Sequence, residues 1–185
     1  MTSVFSLFAD ELDATLIKEL KQRFGNVRLD VVVSDGAGDA RMTDEVFWGL
    51  INLLEWDADT NAAIVAPLVS ALQKNDVAEI YRFEALLSRF LYQLDTSAHA
   101  QAFGPDYLST DGFLYSRAAV VANGEDTYKQ VLEHPASMPT DVTFEPLLYV
   151  ARTAFRAKTG TEMQYFPLYN YETYSNTAGW SDRKP

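Results

Sequence analysis

The segment STDGFLYSRAAVVANG, residues 109–124, has the features of a helix at the centre of a protein. Ser109 or Thr110 can cap its first turn, and Asn123–Gly124 supplies a left-handed terminus. Apolar side chains cover more than one side of this helix, which predicts burial by several neighbouring segments. Arg117 lies inside the apolar run and must be paired or reach water, because an unpaired buried charge is strongly destabilising.

Three acidic residues from separate segments are candidate partners for Arg117: Asp111, Glu145 and Glu172. A buried arginine held by carboxylates is usually architectural, but it can also line a pocket for an anionic or planar ligand. The second possibility gives a candidate ligand-binding set. Its members are Arg117, Glu145, Arg152, Tyr171 and Glu172.

Helical periodicity continues on both sides of the central segment. Apolar residues recur at i, i+3 and i+4 after Thr43, from about Asn61, after Asp76, from Glu125 to His134 and from Phe144 to Lys158. The tail beyond residue 162 is rich in aromatic residues but shows little helical periodicity. So much aromatic surface would not stay solvated, so we expect the tail to lie on the helical body.

The first 34 residues show a different pattern. Residues 27–33 alternate in the manner of a strand, residues 4–8 could form a short partner strand, and residues 10–25 carry an amphipathic helix between them. The sequence therefore predicts a predominantly helical α+β fold with a small N-terminal β-α-β element. We assign residues 1–40 to this extension and residues 41–185 to a helical domain with an aromatic C-terminal tail.

The composition excludes several functional classes. The 15 basic and 26 acidic residues give a net charge of −11, which disfavours nucleic-acid binding. Such a charge most commonly serves solubility, and it can also favour a basic protein partner. The chain has no cysteine, so it has neither disulfides nor thiolate metal sites. No signal peptide and no membrane-spanning apolar run is recognisable, which predicts a cytoplasmic protein without a membrane partner.

Catalytic and cofactor motifs are also missing from the sequence. Walker, Rossmann, Gly-x-Ser-x-Gly and His-Glu-x-x-His patterns do not occur. His99 and His134 lack the spacing of metal ligands, and we predict both at the surface near helix ends. We therefore predict no catalytic residue, no metal site and no cofactor.

Four short motifs carry a family resemblance: MTDEVFWGLI at 42–51, FLYSR at 113–117, FEPLLY at 144–149 and YETYSN at 171–176. Over about residues 42–180 the chain is similar to an uncharacterised, mainly bacterial family catalogued as domain of unknown function 4240. The resemblance implies that residues 1 to about 40 precede the family domain. It implies no activity.

Three functional hypotheses remain open. The first is a non-enzymatic binding or regulatory module that meets a protein partner, for example an acidic immunity-type inhibitor of a basic toxin. The alternative is a small-ligand-binding protein or enzyme with a pocket around Arg117, Glu145 and Glu172. That alternative requires these side chains to converge on a partly open cavity. A third hypothesis is a scaffold domain that acts through its surface alone.

Overall fold

The computed structural model describes residues 14, 17, 18, 21, 22, 25, 42–104, 109–165 and 168–181. From residue 42 onward, seven α-helices and two 3-10 turns account for the regular structure of these residues. The helices are α1 (Asp44–Ile51), α2 (Asn61–Lys74), α3 (Val77–Gln93), α4 (Ser97–Phe103), α5 (Thr110–Ala122), α6 (Glu125–Glu133) and α7 (Val150–Thr159), with 3-10 turns at Pro135–Ser137 and Glu145–Tyr149.

The α+β prediction is wrong, and the fold is all-α. Residues 42–104, 109–165 and 168–181 form helices, turns and irregular segments, and none of them is in a strand. The described body is helical because its apolar residues recur with the helical period and not with the period of two that a strand requires. The two strands predicted at 4–8 and 27–33 lie outside the described residues. Within the predicted helix 10–25, the described positions 14, 17, 18, 21 and 22 are helical.

The central helix α5 is buried as its sequence predicts. From Phe113 to Ala122 every side chain except that of Tyr115 is buried. Ser109 is the N-cap, and its side-chain oxygen accepts a hydrogen bond of 3.2 Å from the backbone N–H of Gly112. Beyond the C-terminus Gly124 adopts a φ of 93°, a conformation that favours glycine. Helices α3 and α6 and the turn at Glu145–Tyr149 all pack against α5.

Helices α2 and α7 lie side by side and run in the same direction. At their C-terminal ends the Gln73 side chain donates a hydrogen bond to the backbone oxygen of Ala157, at 3.4 Å. Lys158 also donates to the backbone oxygen of Gln73, at 3.4 Å. The N-terminal ends of the two helices therefore meet at the opposite end of the pair. This places Asn61 and Val150 near each other, together with the turn that carries Glu145.

The two ends of α3 show local features that the apolar periodicity does not reveal. Asp76 precedes α3 as expected, but its side chain makes no capping hydrogen bond. The segment after α3 begins another helix, α4, because the Thr96 side chain accepts a hydrogen bond from the backbone N–H of His99 at 3.3 Å. His99 is consequently only 3% exposed, so its predicted surface position is wrong.

Candidate functional site

Arg117 is completely buried and is held by groups from two other segments. Its Nη1 donates to the backbone oxygen of Leu91 at 2.9 Å, and its Nη2 donates to the Thr173 hydroxyl at 3.1 Å. The nearest carboxylate is that of Asp95, whose Oδ1 lies 4.0 Å from Nη2. The guanidinium also stacks over the Phe113 ring, 4.7 Å from its centroid. These contacts enclose Arg117 within the protein.

The predicted partners of Arg117 are mostly wrong. Burial lowers the pKa of Arg117 to about 10, while the negative charges of Asp95 and Glu172 act in the opposite direction. Arg117 therefore remains cationic at neutral pH. Asp111 and Glu145 make no ion pair with it among the described residues, and the chief acidic partner, Asp95, is not among the three predicted ones. The available signal was its position just after the end of α3, four residues beyond Leu91 on the buried face of that helix.

Asp95 also fastens the C-terminal tail to the helical body. Its Oδ1 accepts hydrogen bonds from the backbone N–H of Tyr174 at 3.2 Å and from the indole N–H of Trp180 at 3.0 Å. Its Oδ2 accepts from the backbone N–H of Asn176 at 3.0 Å. The expectation that the tail lies on the body is therefore met, and one buried carboxylate is its main polar anchor.

A close backbone approach adds to this anchor at Gly179, whose carbonyl accepts a hydrogen bond from the Ser97 N–H at 2.8 Å. A Cβ at Gly179 would lie 2.8 Å from Cγ2 of Thr96 and 3.0 Å from the backbone oxygen of Asp95. Such distances force either the tail or the start of α4 to move. The tail therefore has no room for a side chain at this position.

We predict that Gly179→Ala lowers the free energy of unfolding by about 1–3 kcal/mol, the usual cost of overpacking. The matched control is Gly49→Ala in α1, where an added Cβ meets nothing within 4 Å. That change should stabilise the protein by about 0.5–1 kcal/mol, because alanine suits a helix interior better than glycine. Urea unfolding of both variants checks the signs, and equal signs would contradict the tight docking of the tail.

A surface groove of about 410 Å³ lies where the N-terminal ends of α2 and α7 meet α5. Its wall includes the turn that carries Glu145, and two tyrosines, Tyr115 and Tyr149, stand beside that carboxylate. Arg117 is not among the lining residues. They are Asn61, Ala62, Val65, Tyr115, Thr143, Glu145, Pro146, Tyr149, Val150 and Thr153.

The Glu145 carboxylate is hydrogen-bonded to tyrosine hydroxyls in this groove. The Tyr149 hydroxyl donates to Oε1 at 2.7 Å, and this bond raises the pKa of Tyr149, with burial and the charge of Glu145 contributing further. Burial raises the pKa of Tyr115, and its hydrogen bond to Glu145 and the charges of Glu145, Asp111 and Glu172 raise it further. Both tyrosines are therefore hydrogen-bond donors at neutral pH, next to a concentration of negative charge.

A second polar group is centred on Glu84 of α3, which is not among the residues that line the groove. Glu84 is 3% exposed, and its Oε2 has no hydrogen-bond partner among the described residues. Burial raises the pKa of Glu84 to about 7, and the positive charge of Arg152 opposes this rise. Burial also raises the pKa of Tyr171, and the charge of Glu84 adds to that rise. The sequence-based site prediction did not include Glu84, because a single acidic residue on a largely apolar helix usually has its carboxylate in solvent.

The predicted ligand-binding set is therefore divided in the structure. Glu145 lines the groove, and Arg152 is exposed and acts electrostatically on Tyr149, Tyr171 and Glu84. Tyr171 is half-buried and Glu172 is exposed. Arg117, the intended centre of the set, lies in the core and not in the groove. The groove is better suited to a cation than to an anion. Its lining carries the Glu145 carboxylate and two tyrosine rings, and Asp111 and Glu172 add negative charge at Tyr115.

Two further observations bear on the class of site. Within the described ranges, no group of three or more histidine, aspartate and glutamate side chains is arranged to hold a metal ion. His99 is engaged on both ring nitrogens, with the Thr96 hydroxyl at 2.7 Å and the backbone oxygen of Val131 at 3.0 Å. Burial lowers the pKa of His99, so this histidine serves the packing of α4 against α6 as a neutral side chain.

No helix in the part of the chain that the structure describes is long and apolar enough to cross a bilayer. Comparison with curated proteins and with solved structures gives no match for this chain. The comparison with family models does give one, over residues 42–157, which are more than half of the 185 residues. The match includes three of the four motifs that carry the resemblance, while the motif at 171–176 lies beyond its end. The chain therefore belongs to the family described as protein of unknown function (DUF4240).

Proposed function

We propose that the protein is a non-enzymatic binding module that docks a basic protein partner on the face around the Glu145 groove. The main observation behind this proposal is a group of exposed apolar side chains near the groove, with acidic residues around them. Tyr149 is 49% exposed, and Val142 and Trp56 are each 47% exposed. Exposed aromatic side chains of this size are typical anchors in protein interfaces.

Trp56 belongs to this face because its ring contacts that of Phe144, with centroids 4.9 Å apart. Phe144 in turn stands between Thr143 and Glu145, which both line the groove. Tyr149 lies within the groove itself, and Val142 precedes Thr143 directly. Tyr149 therefore lines the groove, and Trp56 and Val142, which do not line it, are connected to its wall through Phe144 and Thr143.

The acidic residues around this face determine which charge the partner should carry. Glu55 and Asp57 flank Trp56 in sequence, and Asp141 precedes Val142. Asp111 and Glu172 act electrostatically on Tyr115 in the groove. Arg152 contributes a positive charge to this region, and that charge opposes the rise in the pKa of Tyr149. An acidic face with an apolar centre is complementary to a basic segment that carries apolar side chains.

The ligand-pocket alternative receives less support than it did from the sequence. Its central residue, Arg117, is fully enclosed by Leu91, Thr173, Asp95 and Phe113. The groove volume is within the usual range for small-molecule sites, but the charges around it favour a cation over the anionic ligand that Arg117 was expected to bind.

We predict that a short basic peptide with apolar residues binds this face, whereas an acidic peptide of the same length does not. Trp56→Ala should weaken that binding by about tenfold, as expected for an aromatic interface anchor. Fluorescence anisotropy of labelled peptides measures both effects. The affinity should fall at high salt, because screening weakens exposed charge pairs.

The control for this prediction is Val46→Ala. Val46 is 36% exposed on α1 and does not line the groove, so its truncation should leave peptide affinity unchanged. If no basic peptide binds at low salt, or if both variants bind as the wild type does, the assignment of this face to a basic partner is wrong.

One concrete form of the proposal is an immunity-type inhibitor that neutralises a basic toxin. The net charge of −11 and the acidic surround of the groove support this form. The test is to mix the protein with the purified basic product of a neighbouring gene. We expect a complex that forms at low salt, dissociates at high salt and is lost in Trp56→Ala. A neighbouring basic protein that binds Trp56→Ala equally well would contradict it.

A further inference from the structure

We infer that the groove receives one arginine side chain of the partner, with its guanidinium on the Glu145 carboxylate and its plane against the tyrosine rings. This inference rests on the proposed function and names the group that the partner must supply. It depends on three properties of the groove: the hydrogen-bonding capacity that remains on Glu145, the local electrostatic potential and the aromatic lining.

Glu145 retains acceptor sites that point to an additional donor. An ionised carboxylate has about four acceptor sites, and the hydrogen bond from Tyr149 occupies one of them. No described arginine or lysine forms an ion pair with Glu145. The side chain is partly exposed and lies in the groove wall. A cationic donor from outside the chain can therefore reach the carboxylate.

The carboxylates around Tyr115 disfavour an anionic occupant of the groove. The charges of Glu145, Asp111 and Glu172 all contribute to the raised pKa of Tyr115, and such an effect is evidence of negative potential at its hydroxyl. An anion would be repelled by the same charges. The N-terminal end of α2 at Asn61 does not outweigh them, because the effect of a helix dipole is well below that of three carboxylates.

The lining favours arginine over lysine. The rings of Tyr115 and Tyr149 border Glu145, so a cation on this carboxylate lies beside aromatic surface. The planar guanidinium can stack on aromatic rings and present two parallel N–H groups to a carboxylate, whereas the ammonium of lysine is a compact, strongly hydrated charge. The Tyr149 hydroxyl, which donates to Glu145, keeps lone pairs that can accept a further N–H group of the guanidinium.

The inference is tested with three versions of one labelled basic peptide that differ at a single central position, occupied by arginine, lysine or citrulline. Citrulline keeps the shape of arginine but carries no charge. We expect the citrulline peptide to bind about tenfold or more weakly than the arginine peptide, with the lysine peptide between them. Anisotropy titrations at one fixed ionic strength supply the three affinities.

The variant Glu145→Gln tests whether this carboxylate causes the preference for the arginine peptide. It should reduce the preference for arginine over citrulline to less than about threefold while leaving the citrulline affinity nearly unchanged. Glu162→Gln is the matched control, since it removes one exposed carboxylate that faces Arg156 at 3.6 Å, away from the groove. It should keep the full preference. Unchanged urea midpoints for both variants would show that the fold is retained.

The possible outcomes separate this inference from the proposed function. If the three peptides bind with equal affinity and Trp56→Ala still weakens them, the face binds a basic partner but the arginine assignment is overturned. If Glu145→Gln keeps the full preference for arginine, the guanidinium does not lie on Glu145, and the inference is overturned again. If none of the peptides binds, both proposals fail.

Discussion

Asp95→Ala is expected to lower the free energy of unfolding by about 3–5 kcal/mol, the usual cost of breaking a buried charge pair by removing one partner. The side chain of Asp95 is completely buried. Its loss leaves the Arg117 guanidinium without its nearest negative charge and leaves three N–H donors of the tail unpaired, those of Tyr174, Asn176 and Trp180. Each unsatisfied buried donor adds to the cost.

Urea unfolding measures the stability change, and the fluorescence of Trp180 reports on the tail, because its indole is 8% exposed and bonded directly to Asp95. We expect the tail of the variant to become accessible to proteases under conditions in which the wild type resists them. The matched control is Asp111→Ala, which removes an exposed acid that the sequence also offered as a partner for Arg117. It should change stability by less than about 0.5 kcal/mol. Equal losses in the two variants would show that Asp95 is not the anchor.

The sequence predicted the main chain better than it predicted the polar contacts. The buried helix α5, its Ser109 cap and the left-handed Gly124 were correctly identified, because local periodicity and capping chemistry determine them. The α+β fold class was wrong, because none of residues 42–104, 109–165 and 168–181 is in a strand. The alternating residues 27–33 lie outside the described residues, and alternation alone indicates only a capacity to form a strand.

The candidate site was harder to predict because it depends on contacts between distant segments. Glu145 was selected for its supposed pairing with Arg117, whereas in the structure it accepts a hydrogen bond from the Tyr149 hydroxyl. Asp95 and the tail residue Asn176 are 81 positions apart, so no spacing rule connects them. Trp56 was not singled out, since its exposure follows from the packing of α1 and α2 and not from any local pattern.

The second large expected effect is a gain in stability when the carboxyl group of Glu84 is replaced, in contrast to the loss expected for Asp95→Ala. Its folded pKa of about 7 lies above the ordinary value of 4.5 because the carboxyl is buried. Below pH 4.5 the group is neutral in both the folded and the unfolded state. Between pH 4.5 and 7 the unfolded chain loses this proton while the folded protein keeps it, so the contribution of Glu84 to stability falls as the pH rises. Above pH 7 the charge is present in both states, and its burial cost is complete.

Glu84→Gln should therefore make the protein more stable than the wild type at pH 8, by roughly 3 kcal/mol, since 7 − 4.5 is 2.5 pKa units at about 1.4 kcal/mol each. At pH 4.5 the difference should nearly vanish, because glutamine resembles the protonated acid in shape and charge. The lowered pKa of His99 makes the folded protein less stable as the pH falls below about 6.5. That contribution is common to both proteins, so the difference between their unfolding free energies isolates Glu84.

The experiment is a series of urea unfolding curves for the wild type, Glu84→Gln and the exposed control Glu162→Gln between pH 4.5 and pH 8. Only Glu84→Gln should show a difference from the wild type that grows with pH and levels off above pH 7. A variant less stable than the wild type at every pH would mean that Glu84 is ionised and well paired in the folded protein. The unpartnered Oε2 and the opposing but weaker effect of Arg152 argue against such a pairing. The buried acid is better explained as a neutral group, since burial acts mainly on its charged form.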